Sequence, residues 1–475
     1  MEQDAVAIWE TQRDAARAVI RDACTAEDRI VGLGIANQRE TTIVWDRRTL
    51  QPIGPAVGWQ CRRTAEICRA LKSSHGDSIR RQTGLVADPY FSGPKIAWLL
   101  DSVPGARERA DRGELVAGTV DTWLLANLTT GAIHATDRTN ASRTLIYDIH
   151  TGAWDAALAT AQQVPQSVLA DVQPSLGEFG VVDPNLLGHE LPIVAVSGDQ
   201  QAALFGQNCH APGPVKVTYG TGAFLLTHTG PSAIGPVPGL LTTVAADEAA
   251  SAEASTTKGH STYALEGSVF SAGSIVQWLR DTLGLFEESA EIEALASSTA
   301  DSAGVSLVPA FTGLGAPHWE PEARGMIAGI SGGTSTAQIA RAALEAIAFR
   351  VRDIVETLNS STDYPVNELR VDGGAAANAL LLQIQANAIG QPVIRPAQLE
   401  TTALGVALMA GIVTGVWSDV AATEAAWTPE LRITPNGDLD QAYTRWQAAR
   451  DASIELGRTY AGRSSPGDEH RQERE

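Results

Sequence analysis

Residues 215–227 read VKVTYGTGAFLLT. Two runs of β-branched and apolar residues flank Gly220-Thr221-Gly222. That pattern predicts strands at 215–219 and 223–227 joined by a glycine-rich hairpin tip. Glycine lets backbone N–H groups converge on one spot without a side chain in the way, which suits phosphate oxygens, and the Thr221 hydroxyl adds a donor. The same residues also read as a plain tight turn.

Three further stretches carry chemistry. Upstream, the apolar run 191–197 (LPIVAVS) ends at Gly198-Asp199, so Asp199 stands just past a strand end, where α/β proteins place chemistry. Asp199 can serve as a general base or reach magnesium through water; it also reads as a helix N-cap. Downstream, a strand at 369–371 leads into Asp372-Gly373-Gly374 and a helix starting near Asn378. Paired glycines and the positive start of a helix admit a flat, anionic ligand, with Asn378 available to a base or ribose; a simple strand–helix connection reads the same way. Nearer the start, Arg39-Glu40 lies between strands at 30–36 and 41–45. Donors and acceptors at one place suit a hydroxyl-rich ligand, although a solvent-exposed charged turn has the same composition.

The two early strands are close enough to predict a hairpin or meander. Helical patterns cover residues 1–24, 64–71, 93–100, 274–283, 336–358 and 401–412, and 115–125 runs from strand into helix. Residues 231–260 read as loops or weak strands. The charged tail from Arg463 reads as disordered.

A chain of 475 residues exceeds what one core usually supports, so two large domains are expected. With 44% hydrophobic and 19% charged residues the composition is that of a soluble globular protein. A net charge of -20 argues against non-specific nucleic-acid binding. The start is polar and helical, with no signal peptide, and no apolar run is long enough to span a membrane. Cys24, Cys61, Cys68 and Cys209 lack metal-ligand spacing and read as free thiols of a cytoplasmic protein, and the nine histidines do not cluster.

Taken together, longer blocks resemble the glycerol kinases: 37–45 (NQRETTIVW), 59–68 (WQCRRTAEIC), 88–92 (DPYFS), 118–124 (GTVDTWL), 136–144 (TDRTNASRT), 198–207 (GDQQAALFGQ), 219–222 (YGTG), 263–267 (YALEG), 308–319 (VPAFTGLGAPHW) and 371–378 (VDGGAAAN). These are carbohydrate kinases sharing the actin-like, ribonuclease H-like ATPase fold, and the likeness runs from about residue 6 to about residue 420. It implies an α/β chain of two such domains with a cleft between them: 1–208 on the substrate side, 209–462 on the nucleotide side, and a disordered tail at 463–475. The implied activity is ATP- and Mg2+-dependent phosphorylation of glycerol. Arg39, Glu40, Tyr90 and Asp199, with Gln200 alongside, match positions that hydrogen-bond glycerol. Trp59 and Phe224 match the apolar walls, and Asp199 the catalytic base. Thr221, Gly273, Gln277, Gly374 and Asn378 match nucleotide contacts. The metal ligands stay unassigned. The family is commonly dimeric or tetrameric.

Two departures stand out. Family members open with a strand and a phosphate loop resembling DQGTTSSR, and no such stretch occurs here. The comparison therefore predicts a first domain missing its opening strand hairpin, explained most simply by a mis-called start. The early strand at 30–36 would have an unpaired edge and an exposed apolar face, and the polypeptide would fold poorly or be nearly inactive. Residues 185–191 (NLLGHEL) stand where some relatives carry a loop for a sugar bisphosphate regulator, so that inhibition is not expected. The alternatives are a kinase of another polyol or sugar, and a catalytically impaired protein that binds glycerol and nucleotide.

Overall fold

The computed structural model describes residues 1–23, 29–246 and 262–461. Cys24, the stretch 247–260 of the expected loop region and the tail from Arg463 lie outside the described residues.

The first half opens with helix α1 (Ala5–Ala23) and strands β1 (Leu33–Asn37) and β2 (Ile43–Asp46). Strand β3 (Leu115–Gly118) turns at Thr119 into helix α2 (Val120–Leu128). Strands β4 (Leu176–Val181) and β5 (Pro192–Gly198) precede helix α3 (Asp199–Gly206). β5 is apolar without alternation because both of its faces are covered. It runs parallel to β1, with Val196 opposite Ile35, and antiparallel to β4.

The expected early hairpin does not form. β1 joins β5, whereas β2 pairs antiparallel with β3 in a separate two-stranded sheet, Ile43 opposite Gly118. The turn between β1 and β2 is occupied by buried side chains, so the chain changes sheets there instead of folding back on itself.

The second half contains β6 (Val215–Tyr219), β7 (Ala223–Gly230), β8 (Leu241–Val244), β9 (Tyr263–Val269) and helix α4 (Gly273–Asp281). After them come α5 (Thr336–Ser361), β10 (Leu369–Asp372), α6 (Ala379–Ile389), β11 (Val393–Pro396), α7 (Thr401–Val413) and β12 (Pro429–Ile433). The strands form one mixed sheet in the order β8-β9-β7-β6-β10-β11-β12. The predicted hairpin is its centre: β6 and β7 are antiparallel with Tyr219 opposite Ala223, and β6 is parallel to β10. Helix α5 begins in a reciprocal capping box between Ser335 and Gln338 and buries its alanine-rich face in the main core.

Helix α7 crosses back to the first half. It packs on α3 and on β1, β4 and β5. β1 ends its sheet, and among the described residues no strand pairs with its outer edge. The expected exposure of its apolar face does not occur. A Cβ on Gly34 would fall 2.9 Å from Val406 Cγ2 of α7, so that helix covers one face. Ile35, on the other face, is buried with Trp123 and Val196. The cover comes from a segment remote in sequence, which the local pattern of β1 does not reveal.

Candidate active site

Arg39 and Glu40 follow β1 in the turn toward β2. Each is only 2% exposed, which removes the reading of a solvent-exposed charged turn. Glu40 adopts φ 61°, a sparsely populated conformation for a residue with a Cβ. Its carbonyl accepts from Lys95 Nζ at 2.9 Å and Thr42 Oγ1 at 3.1 Å, which holds the turn in place. Burial pushes the Glu40 carboxyl up, against the pull of the Arg39 and Arg143 guanidiniums.

Asp199 is the first residue of α3, on the parallel neighbour of β1, so the β1–β5 register brings it to the same sheet end as Arg39. Its Oδ1 lies 3.5 Å from Arg39 Nε and accepts from the Gln200 backbone N–H at 2.9 Å. Gln200 Nε2 donates to Oδ2 at 2.9 Å. With about a third of its side chain exposed, Asp199 is the open member of an otherwise buried charged group. Its side chain does not cap α3; that position belongs to Gly198.

Three aromatic rings stand beside this group. Trp59 packs edge-on to both Tyr90 and Phe224, each at 5.8 Å between centroids. Arg143 lies over the Tyr90 ring at 5.4 Å. Trp59 and Tyr90 line a cavity of about 110 Å³ together with Thr221, Phe270, Ser271 and Ser274.

Thr221 also lines a second cavity, of about 430 Å³. All five expected nucleotide contacts meet there: Thr221, Gly273, Gln277, Gly374 and Asn378. The glycine tip docks on the start of α4, where Gly273 N–H donates to the Gly220 carbonyl at 2.9 Å and a Cβ on Gly273 would fall 2.6 Å from that oxygen. Apolar walls come from Val276, Ile292, Leu344, Ile347 and Leu381. Asn378 Oδ1 caps α6 through Leu381 N–H at 2.8 Å, so the amide nitrogen is what Asn378 can offer a ligand. Apolar walls with a few convergent polar groups and open glycine backbone fit an adenine nucleotide.

The structure adds participants that local sequence did not mark. Glu266, on β9, is completely buried and accepts from Arg39 Nη1 at 2.7 Å, Arg39 Nη2 at 2.9 Å and Arg143 Nη2 at 3.0 Å. Arg143 Nε donates to Glu40 Oε1 at 2.6 Å. Burial pushes the Glu266 carboxyl up, but Arg143 and Arg39 outweigh it and hold the group at about 2. Lys216, on β6, donates to Gln200 Oε1. A signal existed in YALEG and VKVTY: a charge in a strand buried on both faces requires a partner.

Two family models match the chain, the FGGY family of carbohydrate kinases N-terminal domain over residues 1–206 and the C-terminal domain of the same family over residues 215–414. The chain belongs to the FGGY family of carbohydrate kinases. It is 49% identical to a glycerol kinase of Rhodopirellula baltica over 95% of this chain and 83% of that protein, and 47% identical to glycerol kinase 2 of Thermotoga maritima over 96% and 90%. Among solved structures, Plasmodium falciparum glycerol kinase with ADP matches with a TM-score of 0.84 at 33% identity, covering 96% of this chain and 90% of that one. A xylulose kinase of Lactobacillus acidophilus matches at TM-score 0.80 and 19% identity, which speaks for the fold alone.

Among the described residues, no helix is long and apolar enough to cross a membrane, and no group of three or more His, Cys, Asp or Glu could hold a metal ion. Cys61, Cys68 and Cys209 are free and buried.

Proposed function

We propose that this chain transfers the terminal phosphoryl group of ATP to a hydroxyl of glycerol, giving glycerol 3-phosphate and ADP. One observation carries the reading: Thr221 lines both the large cavity of the second half and the small cavity walled by Trp59 and Tyr90, whose ring lies under the Arg143 that bonds Glu40. In this reading a nucleotide in the former presents its phosphates across Thr221 to an alcohol in the latter, as phosphoryl transfer requires donor and acceptor to be neighbours.

Each candidate residue takes a role in that reading. Trp59 and Phe224 face the carbon chain of glycerol. Arg39, Glu40, Tyr90 and Gln200 bond its hydroxyls. Asp199 accepts the proton of the attacking hydroxyl as the new O–P bond forms and the bond to ADP breaks. Thr221, Gly273, Gln277, Gly374 and Asn378 hold the nucleotide. Asp199 is the carboxylate that would hold Mg2+ through water beside the phosphates. When bound, the ion would offset charge on the phosphates.

The division into domains at 208/209, a cytoplasmic location and a dimeric or tetrameric state belong to the same proposal. So does insensitivity to fructose bisphosphate: residues 185–191 form the end of the short helix Pro184–Leu187, a turn at Gly188 and the start of the segment into β5.

The test is ADP release by the purified chain against a panel of glycerol, xylulose, ribulose and gluconate, with Asp199→Asn as control. Glycerol should give the highest kcat/KM, and the variant should lose about 10²–10⁴-fold in kcat. Glycerol-independent ADP release, or an Asp199→Asn variant as fast as the parent, would overturn the reading.

A further inference from the structure

We infer that Glu266, which nothing above makes a substrate contact, is the positioning residue of the polyol end of the cleft: reaching in from the second half, it decides which atoms of Arg39 and Glu40 remain for substrate. The inference rests on the polyol-kinase reading.

Glu266 stands in β9 opposite Leu226 of β7 and Leu241 of β8, in a strand buried throughout. Both its oxygens are committed. Oε2 accepts from Arg39 Nη1, and Oε1 accepts from Arg39 Nη2, Arg143 Nη2 and Ser268 Oγ. A carboxylate that takes both terminal nitrogens of a guanidinium fixes the plane of that guanidinium. Arg39 Nη1 has a further acceptor in Gln201 Oε1 at 3.1 Å, so three of the four terminal N–H groups are engaged.

Nε is the one nitrogen of Arg39 that makes no hydrogen bond. It is buried, with Asp199 Oδ1 at 3.5 Å and Glu40 Oε1 at 3.8 Å. Arg143 repeats the arrangement. One terminal nitrogen goes to Glu266, Nε goes to Glu40 Oε1, and Nη1 is buried without a partner. Glu40 is thereby pinned through one oxygen. Buried donors left unpaired are rare and costly in native proteins, and a hydroxyl oxygen satisfies them. The clamp therefore leaves Arg39 Nε unused beside the Asp199 carboxylate, and Arg143 Nη1 unused on the guanidinium that bonds Glu40. It does so only while the second half seats Glu266 against Arg39, which ties polyol binding to the relative seating of the halves.

A purely structural ion pair between the halves would show the same contacts but not the same kinetics. Glu266→Gln keeps the shape, yet its amide has one acceptor oxygen and cannot hold both nitrogens of Arg39. We expect KM for glycerol to rise at least about tenfold while KM for ATP stays within about twofold. In an Arg39→Ala background the same change should raise KM for glycerol by less than about threefold, because the effect runs through Arg39. A Glu266→Gln protein with lowered Tm but an unchanged ratio of the two KM values would overturn the inference. Should that variant fail to fold, Glu266→Asp, which keeps the charge but draws the carboxylate back from Arg39, takes its place. It should raise KM for glycerol at least about threefold, and an unchanged KM would equally overturn the inference. The wild-type arm separates the two readings. Activity confined to another polyol defeats only the glycerol assignment, with the KM ratios then taken on that polyol. A wild type inactive on the whole panel defeats the kinase reading and the inference together.

Discussion

Lys216 Nζ donates to Gln200 Oε1 at 2.5 Å, and Gln200 Nε2 donates in turn to Asp199 Oδ2 at 2.9 Å. An ammonium only donates, so it forces the amide oxygen toward itself and the amide nitrogen toward the carboxylate. Lys216 is completely buried on β6 and also bonds Thr218 Oγ1 at 2.8 Å. Replacing it by Met keeps most of the volume and frees the amide to turn over. Lys216→Met should lower kcat about tenfold with KM for ATP within twofold. Steady-state ADP release, with Tm as a control, checks it; an unchanged kcat in a folded variant would show that Gln200 needs no such support.

Asn378 has two separable jobs. As the N-cap of α6 it accepts from Leu381 N–H, and as a lining residue it offers its amide nitrogen to the cavity. Asn378→Ala should cost about 1 kcal/mol of stability and also raise KM for ATP. Asn378→Asp keeps an acceptor at the cap but loses the donor, so it should recover the stability and not the KM. Thermal melts and ATP titrations on the two variants measure the split.

Helices α3 and α7 cross at a contact with no room for a side chain. A Cβ on Gly405 would fall 1.8 Å from the Ala202 carbonyl oxygen and 2.9 Å from Gly206 N. The clash is with backbone, so no rotamer change relieves it. Gly405→Ala should destabilise the fold by about 3 kcal/mol or more, the upper end for overpacking. Urea unfolding with an unchanged midpoint would refute the contact.

Lys95 is buried beneath the Glu40 turn and donates to the carbonyls of Glu40 at 2.9 Å and Tyr90 at 2.7 Å. Burial lowers its ammonium to about 7, opposed by Glu40, Cys61, Asp88 and Cys68. Between that value and the ordinary lysine range the unfolded chain holds a proton that the folded chain has released. Unfolding then takes up a proton, so stability rises with pH across this window, by at most about 1.4 kcal/mol per pH unit from this group. Lys216, lowered to about 8 by burial, adds to the upper part of the window. Lys95→Met should flatten the rise of the urea midpoint between pH 7 and pH 8, which unfolding at three pH values resolves.

Much of the second half was legible before its coordinates. Two β-branched runs around Gly220-Thr221-Gly222 can pair only as a hairpin, and the strand-to-helix passage through Gly373-Gly374 keeps its form because glycine and an Asn cap are local devices. Arg39 and Glu40 were visible as a pair, but their neighbours in sequence are polar enough to suit an exposed turn. Residues remote in sequence, Lys95, Arg143, Gln201 and Glu266, close around the pair. The hairpin expected at the start failed for a related reason: β1 finds its partner in β5, more than a hundred residues away, and local spacing carries no record of that.

Sequence by itself determined the period of each strand and helix, the glycine positions where backbone must come close, and the residue types able to bond hydroxyls and phosphates, because these follow from local sterics and side-chain chemistry. Tertiary structure alone decided that Glu266 faces Arg39, that Lys216 faces Gln200, that α7 covers β1, and that one threonine borders two cavities. Those relations join residues far apart in the chain, and a buried charge acquires its partner only when the sheets carrying both have closed.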